Sequence, residues 1–344
     1  MKKGSVIDKV SLDGIRNELS KKKKILITTH KSPDGDAVGS SLGLYHYLVA
    51  LGHEVWVSIP DPFPRFLQWI PGTDKLITYS KEKEKFEEVL KDIDILFALD
   101  YNHFPRTGDE LGGILSASQA VKIMIDHHQE PDESMDFKVW DVGASSTAEL
   151  VYDLIVSLSG DKGITKTIGE CLYTGIMTDT GSFRFSTCTS HTMRITSHLL
   201  DEGVDGNKIH ELVYDQNSID RLHLMGYALE KMVFLKDYHT AYISLSRKEL
   251  ERFNYQAGDT EGLVNKVLSV KGVKVAALIT EKEGNIRFSF RSSAQFSVND
   301  FSRTHFNGGG HFHAAGGSIK GNISEAVKLF EEHIKKYKNE LESA

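Results

Sequence analysis

The apolar positions of the first half of the chain fall into short runs and helically spaced runs that alternate. Lys24–Thr29, Val55–Ile59, Ile93–Leu99 and Val121–Ile125 are rich in β-branched and aliphatic residues and predict buried strands. Between the first two, Ala37–Leu51 carries Val38, Leu42, Tyr45, Leu48 and Val49 at helical spacing, and the mixed-charge run around Lys81–Lys91 predicts a solvated helix. Such alternation predicts a parallel sheet with helices on both faces. From Ser145 to about Val233 the pattern is helical, through Ala148, Leu150, Val151, Leu154, Ile155 and Leu158. Strands resume at Ala241–Leu245, Val273–Thr280 and Ile286–Ser292, and Ile323–Leu341 predicts one closing amphipathic helix. The expected architecture is α/β in two domains, a larger one over 1–215 and a smaller one over 239–344, joined by a helical segment over 216–238.

Composition narrows the classes of function. With 344 residues, 40% of them apolar, the chain can bury a sizeable core in each domain. A formal charge of -7 excludes a broad basic face for long duplex nucleic acid, since phosphate neutralisation carries most of that affinity. Cys171 and Cys188 are too few for a disulfide framework, and Cys171 falls in an apolar helical run. No apolar run approaches the roughly 20 residues of a spanning helix, and Met1-Lys2-Lys3 leads into polar sequence. A cytoplasmic protein without a membrane partner is expected. Phe63–Gly72, bounded by prolines and rich in aromatics, reads as a packing connector.

The chemistry gathers where apolar runs end. Lys24–Thr29 is followed by His30, Asp34 and Asp36; Ile93–Leu99 by Asp100; Val121–Ile125 by Asp126, His127 and His128; and the helical run Leu172–Thr178 by Asp179. Open α/β sheets bind ligands at that rim. Gly35 is expected to let the first loop turn so that Asp34 and Asp36 face one centre, and the helix start at Gly39 and Ser40 to offer N–H groups to an anion. Taken singly, each has an ordinary reading: a capping loop, an acid in a turn, a core histidine. Together they supply oxygen and nitrogen donors without a thiolate. That set suits manganese or magnesium, with zinc or cobalt as alternatives, and is too large for one catalytic ion. Two ions sharing a carboxylate would serve phosphoester hydrolysis.

With these motifs in order, the chain resembles the DHH phosphoesterase superfamily in its branch with a DHHA1 domain. The motifs are His30-x-x-x-Asp34-x-Asp36 with Gly39-Ser40, then Asp100, Asp126-His127-His128 and Asp179, followed by Gly308-Gly309-Gly310-His311 with Ala314-Ala315-Gly316. The resemblance implies that His30, Asp34 and Asp100 hold one metal and Asp36, Asp100, His127 and Asp179 the other, with Asp100 as the bridge. It implies two divalent cations, manganese first and magnesium or cobalt otherwise. His128 would contact the phosphate or act as general acid, and Asp126 would orient the histidine pair. In the second domain Arg291, Gly309, Gly310 and His311 would bind the far end of the substrate, with Arg303 and His313 as further candidates. Ile286–Ser292 alternates so that Arg287, Ser289 and Arg291 share one face and Phe288 and Phe290 the other.

Within the superfamily the chain looks most like the nano-RNase type. That resemblance implies cleavage of short single-stranded RNA and linear dinucleotides to mononucleotides, and dephosphorylation of 3'-phosphoadenosine 5'-phosphate (PAP). A polyphosphatase or pyrophosphatase is the alternative enzyme, and a nucleotide- or tRNA-binding module the alternative from another class. A homodimer is compatible with either.

Overall fold

The computed structural model describes residues 7–282, 284–293 and 295–343; the polar lead Met1-Lys2-Lys3 lies outside them. It divides into two compact units, Met1–Gln216 and Asn217–Ala344. Unit one holds strands β1 Lys24–Thr28, β2 Glu54–Ile59, β3 Ile77–Thr78, β4 Ile95–Leu99, β5 Val121–Asp126 and β6 Phe137–Trp140. Its helices are α1 Lys9–Glu18, α2 Gly35–Ala50, α3 Lys83–Leu90, α4 Asp109–Ala117, α5 Thr147–Ser159, α6 Lys166–Asp179, α7 Ser190–Asp201 and α8 Gly206–Tyr214. No helix among the described residues is long and apolar enough to cross a membrane.

All six strands pair in parallel in the order β3-β2-β1-β4-β5-β6. Alternate residues of each strand enter different layers, as the period of two requires. Ile25 and Ile27 pack with Val38 and Leu42 of α2, Leu150 of α5 and Leu172 of α6; Leu26 packs on the other face with Phe86 of α3 and Leu111 of α4. Each fully buried side chain of that kind contributes about 1.5–3 kcal/mol. The expected connector packs as read: Leu67 and Ile70 are buried, with Phe63, Phe66 and Trp69 laid against the same core. The chain runs outward from β1 to β3 and returns to β4 on the other side of β1. The crevice between the carboxyl ends of β1 and β4 is therefore the topological switch point, where this class of sheet binds ligands.

The structure corrects two expectations for the loop after β1. Helix α2 starts at Gly35, capped by Asp34, whose Oδ1 accepts the N–H groups of Asp36 and Ala37 at 3.0 and 3.1 Å. Gly39 and Ser40 are thus buried in the second turn, and their N–H groups belong to the helix rather than to an anion. Gly35 serves space rather than a sharp turn. A Cβ there would stand 2.3 Å from Thr178 Oγ1, at Gly39 2.5 Å from the Cys171 carbonyl, and at Gly43 2.6 Å from Leu172 Cδ2. This stripe of three glycines, spaced four residues apart, lets α2 lie directly on α6, which turns Asp36 and Asp179 toward the same imidazole, that of His127. Gly39→Ala is expected to cost about 2 kcal/mol, because the clash is with backbone that cannot swing away. A chemical denaturation curve with an unchanged midpoint would show that α6 can retreat.

Unit two holds helices α9 Ile219–Glu230, α10 Arg247–Arg252, α11 Leu263–Leu268, α12 Val298–Phe306, α13 Ile323–Lys335 and α14 Lys338–Ser343. Its strands are β7 Val233–Leu235, β8 Thr240–Leu245, β9 Val275–Lys282, β10 Asn285–Ser292, β11 Gly309–His311 and β12 Ala314–Lys320. They form a mixed sheet in the order β11-β12-β10-β9-β8-β7, with only β8 and β9 parallel. The alternation read in Ile286–Ser292 holds: Ile286, Phe288 and Phe290 are buried against Phe301, Phe306 and Phe330, while Arg287 is exposed. Helix α9, expected to connect the domains, buries Leu224 and Ala228 in the core of unit two. The closing helix is broken. Tyr337 N–H turns back to the Ile334 carbonyl at 3.1 Å, and the chain restarts as α14.

Candidate metal centre

Four segments bring their donors to the switch point. His30 follows β1, Asp100 follows β4, Asp126-His127-His128 close β5, and Asp179 is the last residue of α6, with Asp36 added by the first turn of α2. His30, Asp36, Asp100, Asp126, His127 and His128 are all buried, whereas the side chain of Asp34 is 50% exposed at the open side.

Asp100 stands between two groups of donors. Its Oδ2 is 3.3 Å from His30 Nε2, which lies 4.0 Å from Asp34 Oδ1. Its Oδ1 is 3.6 Å from His127 Nε2, which also lies 3.9 Å from Asp36 Oδ2 and 3.5 Å from Asp179 Oδ2. Adjacent donors on an octahedral ion with bonds of about 2.1 Å stand about 3 Å apart, so these spacings need only a small contraction. Asp100 holds this position with φ of 62°, left-handed backbone that only a few residue types adopt readily.

The second ring nitrogens explain why these imidazoles face the carboxylates. His30 Nδ1 is 3.0 Å from the Lys31 carbonyl and His127 Nδ1 is 3.3 Å from the Ala144 carbonyl. A carbonyl can only accept, so each Nδ1 carries the proton and each Nε2 turns a lone pair to the acids, as metal-binding histidines do. His128 Nδ1 lies 2.7 Å from Asp126 Oδ1, so a carboxylate takes the place that a carbonyl takes at His30 and His127. The other oxygen of Asp126, Oδ2, is buried without a hydrogen-bond partner.

Electrostatics shows what the donor set lacks. Burial, and then the charges of Asp100, Asp179 and Asp34, push the Asp36 carboxyl well above the usual range. Burial would also raise Asp100, but the hydrogen bond and charge of His30, with His128 and His127, outweigh it and hold Asp100 below the usual range. His30 and His127 are raised in turn: burial opposes their charge, and Asp100 for the first and Asp179 with Asp100 for the second overcome it. Burial lifts Asp126 to about 6. Burial and the nearby Arg106 hold His128 well below the ordinary histidine value. Carboxylates crowded at this depth lack positive charge, and divalent cations fit that need and that donor set. His30, Asp34 and Asp100 offer ligand atoms all within 4.8 Å of one another, and so do Asp36, Asp100 and His127.

Supporting residues escaped the sequence reading. The N-terminus of α5 points at Asp36: Thr147 N–H donates to Oδ2 at 2.6 Å and Ala148 N–H to Oδ1 at 2.9 Å. Thr147 Oγ1 donates to Asp100 Oδ1 at 3.0 Å. Asn102 Nδ2 donates to the Gln129 carbonyl at 2.6 Å, tying the chain after Asp100 to the chain after His128, and Trp140 Nε1 donates to the His128 carbonyl at 2.7 Å. The Ser145-Ser146-Thr147 run was visible as a helix start; its target was not.

In unit two, Gly309–His311 of the glycine motif form strand β11. His311 faces Ala314 of β12, and Ala314 faces Arg291 of β10, so Arg291 and His311 share one end of the sheet. Gly310 has φ of 150°, and a Cβ on it would stand 2.4 Å from the Ala314 carbonyl. Its N–H donates to Oδ1 of the buried Asn299 at 2.9 Å, a further residue that the sequence did not flag. Arg303 Nε is 3.6 Å from where a Gly309 Cβ would be. His313 sits in the hairpin turn with Nδ1 3.0 Å from Ser292 Oγ, and burial lowers its pKa.

Comparison with known proteins divides the chain in the same order. The model of the DHH family, N-terminal domain, matches residues 24–176, and that of the DHHA1 domain matches residues 236–336. The chain is similar to the bifunctional oligoribonuclease and PAP phosphatase NrnA of Thermus thermophilus, at 34% identity over 307 residues covering 86% of this chain and 84% of that one. It is also similar to the protein of the same name from Bacillus subtilis, at 28% identity covering 86% and 89%. Among solved structures, an exopolyphosphatase-related protein from Bacteroides fragilis matches with a TM-score of 0.93 and 40% identity over 99% of this chain and all of that one.

Proposed function

The chain belongs to the DHH family, in the branch whose second domain is DHHA1, and from that membership we propose that it is a two-metal phosphoesterase of short nucleotides. Its substrates on this reading are RNA oligonucleotides of a few residues and linear dinucleotides, cleaved to mononucleotides, and PAP, converted to AMP. The observation that carries the reading is the two-sided position of Asp100, one oxygen toward His30 and the other toward His127. His30, Asp34 and Asp100 would hold one cation and Asp36, Asp100, His127 and Asp179 the other, with manganese favoured over magnesium or cobalt. Bound there, such ions supply charge neutralisation at phosphoryl oxygens and make water more acidic.

The chain's own part is positional and protonic. Asp126 holds Nδ1–H of His128, so Nε2 carries the lone pair. Burial keeps that ring neutral at rest. We assign Nε2 the proton in transit: it accepts one as water attacks and returns it to the leaving oxygen, with Asp126 steadying the cation in between. This recasts the expected general acid as a group that must first be charged. In unit two, Arg291, Gly309, Gly310 and His311, with Arg303 and His313, are assigned to the part of the nucleotide remote from the broken bond. Arg291→Ala is expected to raise KM for a diribonucleotide about tenfold and to leave a small artificial diester unaffected; equal losses on both would place Arg291 in the chemical step. The unpaired thiols of Cys171 and Cys188 accord with work in the cytoplasm.

The deciding experiment compares a 5'-labelled diribonucleotide, PAP and tripolyphosphate side by side, with manganese and after chelation. Manganese-dependent mononucleotide release supports the proposal. The name of the Bacteroides fragilis relative keeps polyphosphate as the second reading, and cleavage of tripolyphosphate alone would select it. Metal binding without turnover of any of the three would select a nucleotide-binding module instead.

A further inference from the structure

Beyond the metal donors, we propose that Arg106 contacts the substrate itself, its guanidinium gripping non-bridging oxygens of the phosphate being cleaved. The inference rests on the phosphoesterase reading of the site.

The backbone that carries Arg106 is fixed from several sides. It lies in the tight turn Phe104–Thr107, just after Asp100 at the same rim. Its carbonyl accepts Lys31 N–H at 2.8 Å and its own N–H reaches the His103 carbonyl at 3.0 Å, so the turn is tied to the residue that follows His30. Phe104 is buried in the layer under the sheet, Thr107 is buried with its Oγ1 on the Phe104 carbonyl at 2.8 Å, and Gly112 packs so close that a Cβ would stand 2.6 Å from that carbonyl.

The side chain, by contrast, is uncommitted. Arg106 is half-buried, yet its guanidinium makes no hydrogen bond or ion pair with the described residues. A half-buried arginine with a structural task ordinarily spends its five donors on a carboxylate or on carbonyls. Here aspartates crowd the adjoining site and none takes it. Its charge still reaches them: it disfavours protonation of His30 and His128 and favours the anion of Asp126.

The chemistry has a use for such a group. A phosphoester carries negative charge toward a rim lined by carboxylates, and more charge gathers on its oxygens as the bond breaks. A planar fork of donors on a fixed backbone matches two phosphate oxygens and needs no reorganisation when that charge develops. Lysine would supply the charge without the fork.

The test uses the full chain with manganese and three variants, Arg106→Ala, Arg106→Gln and Arg106→Lys. Each is assayed on a diribonucleotide and on bis(p-nitrophenyl) phosphate. A loss of about 100-fold in kcat is expected for Ala and Gln on both substrates, with bound metal and Tm unchanged. Lys should recover part of the loss, and added guanidinium ion part of the Ala deficit. Inorganic phosphate, titrated calorimetrically, should bind the Ala variant at least tenfold more weakly. Values of kcat within threefold of the parent on both substrates, a loss confined to the diribonucleotide, or a loss that follows metal release would each overturn the assignment. Should the parent protein turn over neither substrate, the phosphoesterase reading falls, and the phosphate titration alone decides for or against Arg106.

Discussion

Asp100→Asn will lower turnover of every substrate by about a thousandfold or more, and the protein will retain fewer metal ions per chain. The side chain keeps its size, and asparagine tolerates the left-handed backbone at φ 62°, so the fold has no reason to change. The oxygen that accepts from Thr147 Oγ1 at 3.0 Å can also be kept. What is lost is the second acceptor: one of the two atoms now facing His30 Nε2 and His127 Nε2 becomes an NH2 group that cannot ligate a cation. Changes in residues that only orient metal ligands cost 10- to 100-fold, and loss of the carboxylate that the proposed arrangement shares between two ions should exceed that. Metal analysis by plasma emission and steady-state kinetics settle it. Activity within tenfold of the parent, with two ions still bound, would remove Asp100 from the bridge.

His128→Ala is expected to reduce kcat by 100- to 10,000-fold while KM and bound metal stay near their parent values, as the loss of a proton-transfer group requires. Asp126→Asn should cost less, about 10- to 100-fold, because the amide oxygen can still accept Nδ1–H but brings no charge to steady the imidazolium. Asp126 acts through His128 on this account, so the double variant should be no slower than His128→Ala alone. Multiplicative losses would mean that Asp126 has a task of its own, to which its unpartnered Oδ2 would then be the first clue. Loss of metal in His128→Ala would instead make His128 a ligand.

The parallel sheet was legible because β1, β4 and β5 are buried on both faces and therefore read as unbroken apolar runs. Strands β3 and β6 of that sheet were not, and neither were β7, β11 and β12 of the second sheet. Ile77–Thr78 is two residues long, Phe137–Trp140 is half wet, and Gly309–His311 has glycine where a strand signal needs side chains. Each exists because a neighbouring strand offers it a ladder, and that information is not local.

The sequence alone determined the donor types, their order, and their placement where core elements reach a rim, since burial of an apolar run forces the residue after it to the surface of the sheet. Tertiary structure decided which atom faces which. The glycine stripe of α2 was readable as spacing, but its purpose appears only with α6 laid against it, and that crossing is what turns Asp36 and Asp179 toward His127. Asp36 is aimed by N–H groups of Thr147 and Ala148 more than a hundred positions away, and His30 and His127 by carbonyls that hold one ring nitrogen and so turn the other inward. Direction at a site of this kind is a property of packed elements. A linear pattern supplies the groups, and only the packing fixes the few tenths of an ångström at which they act together.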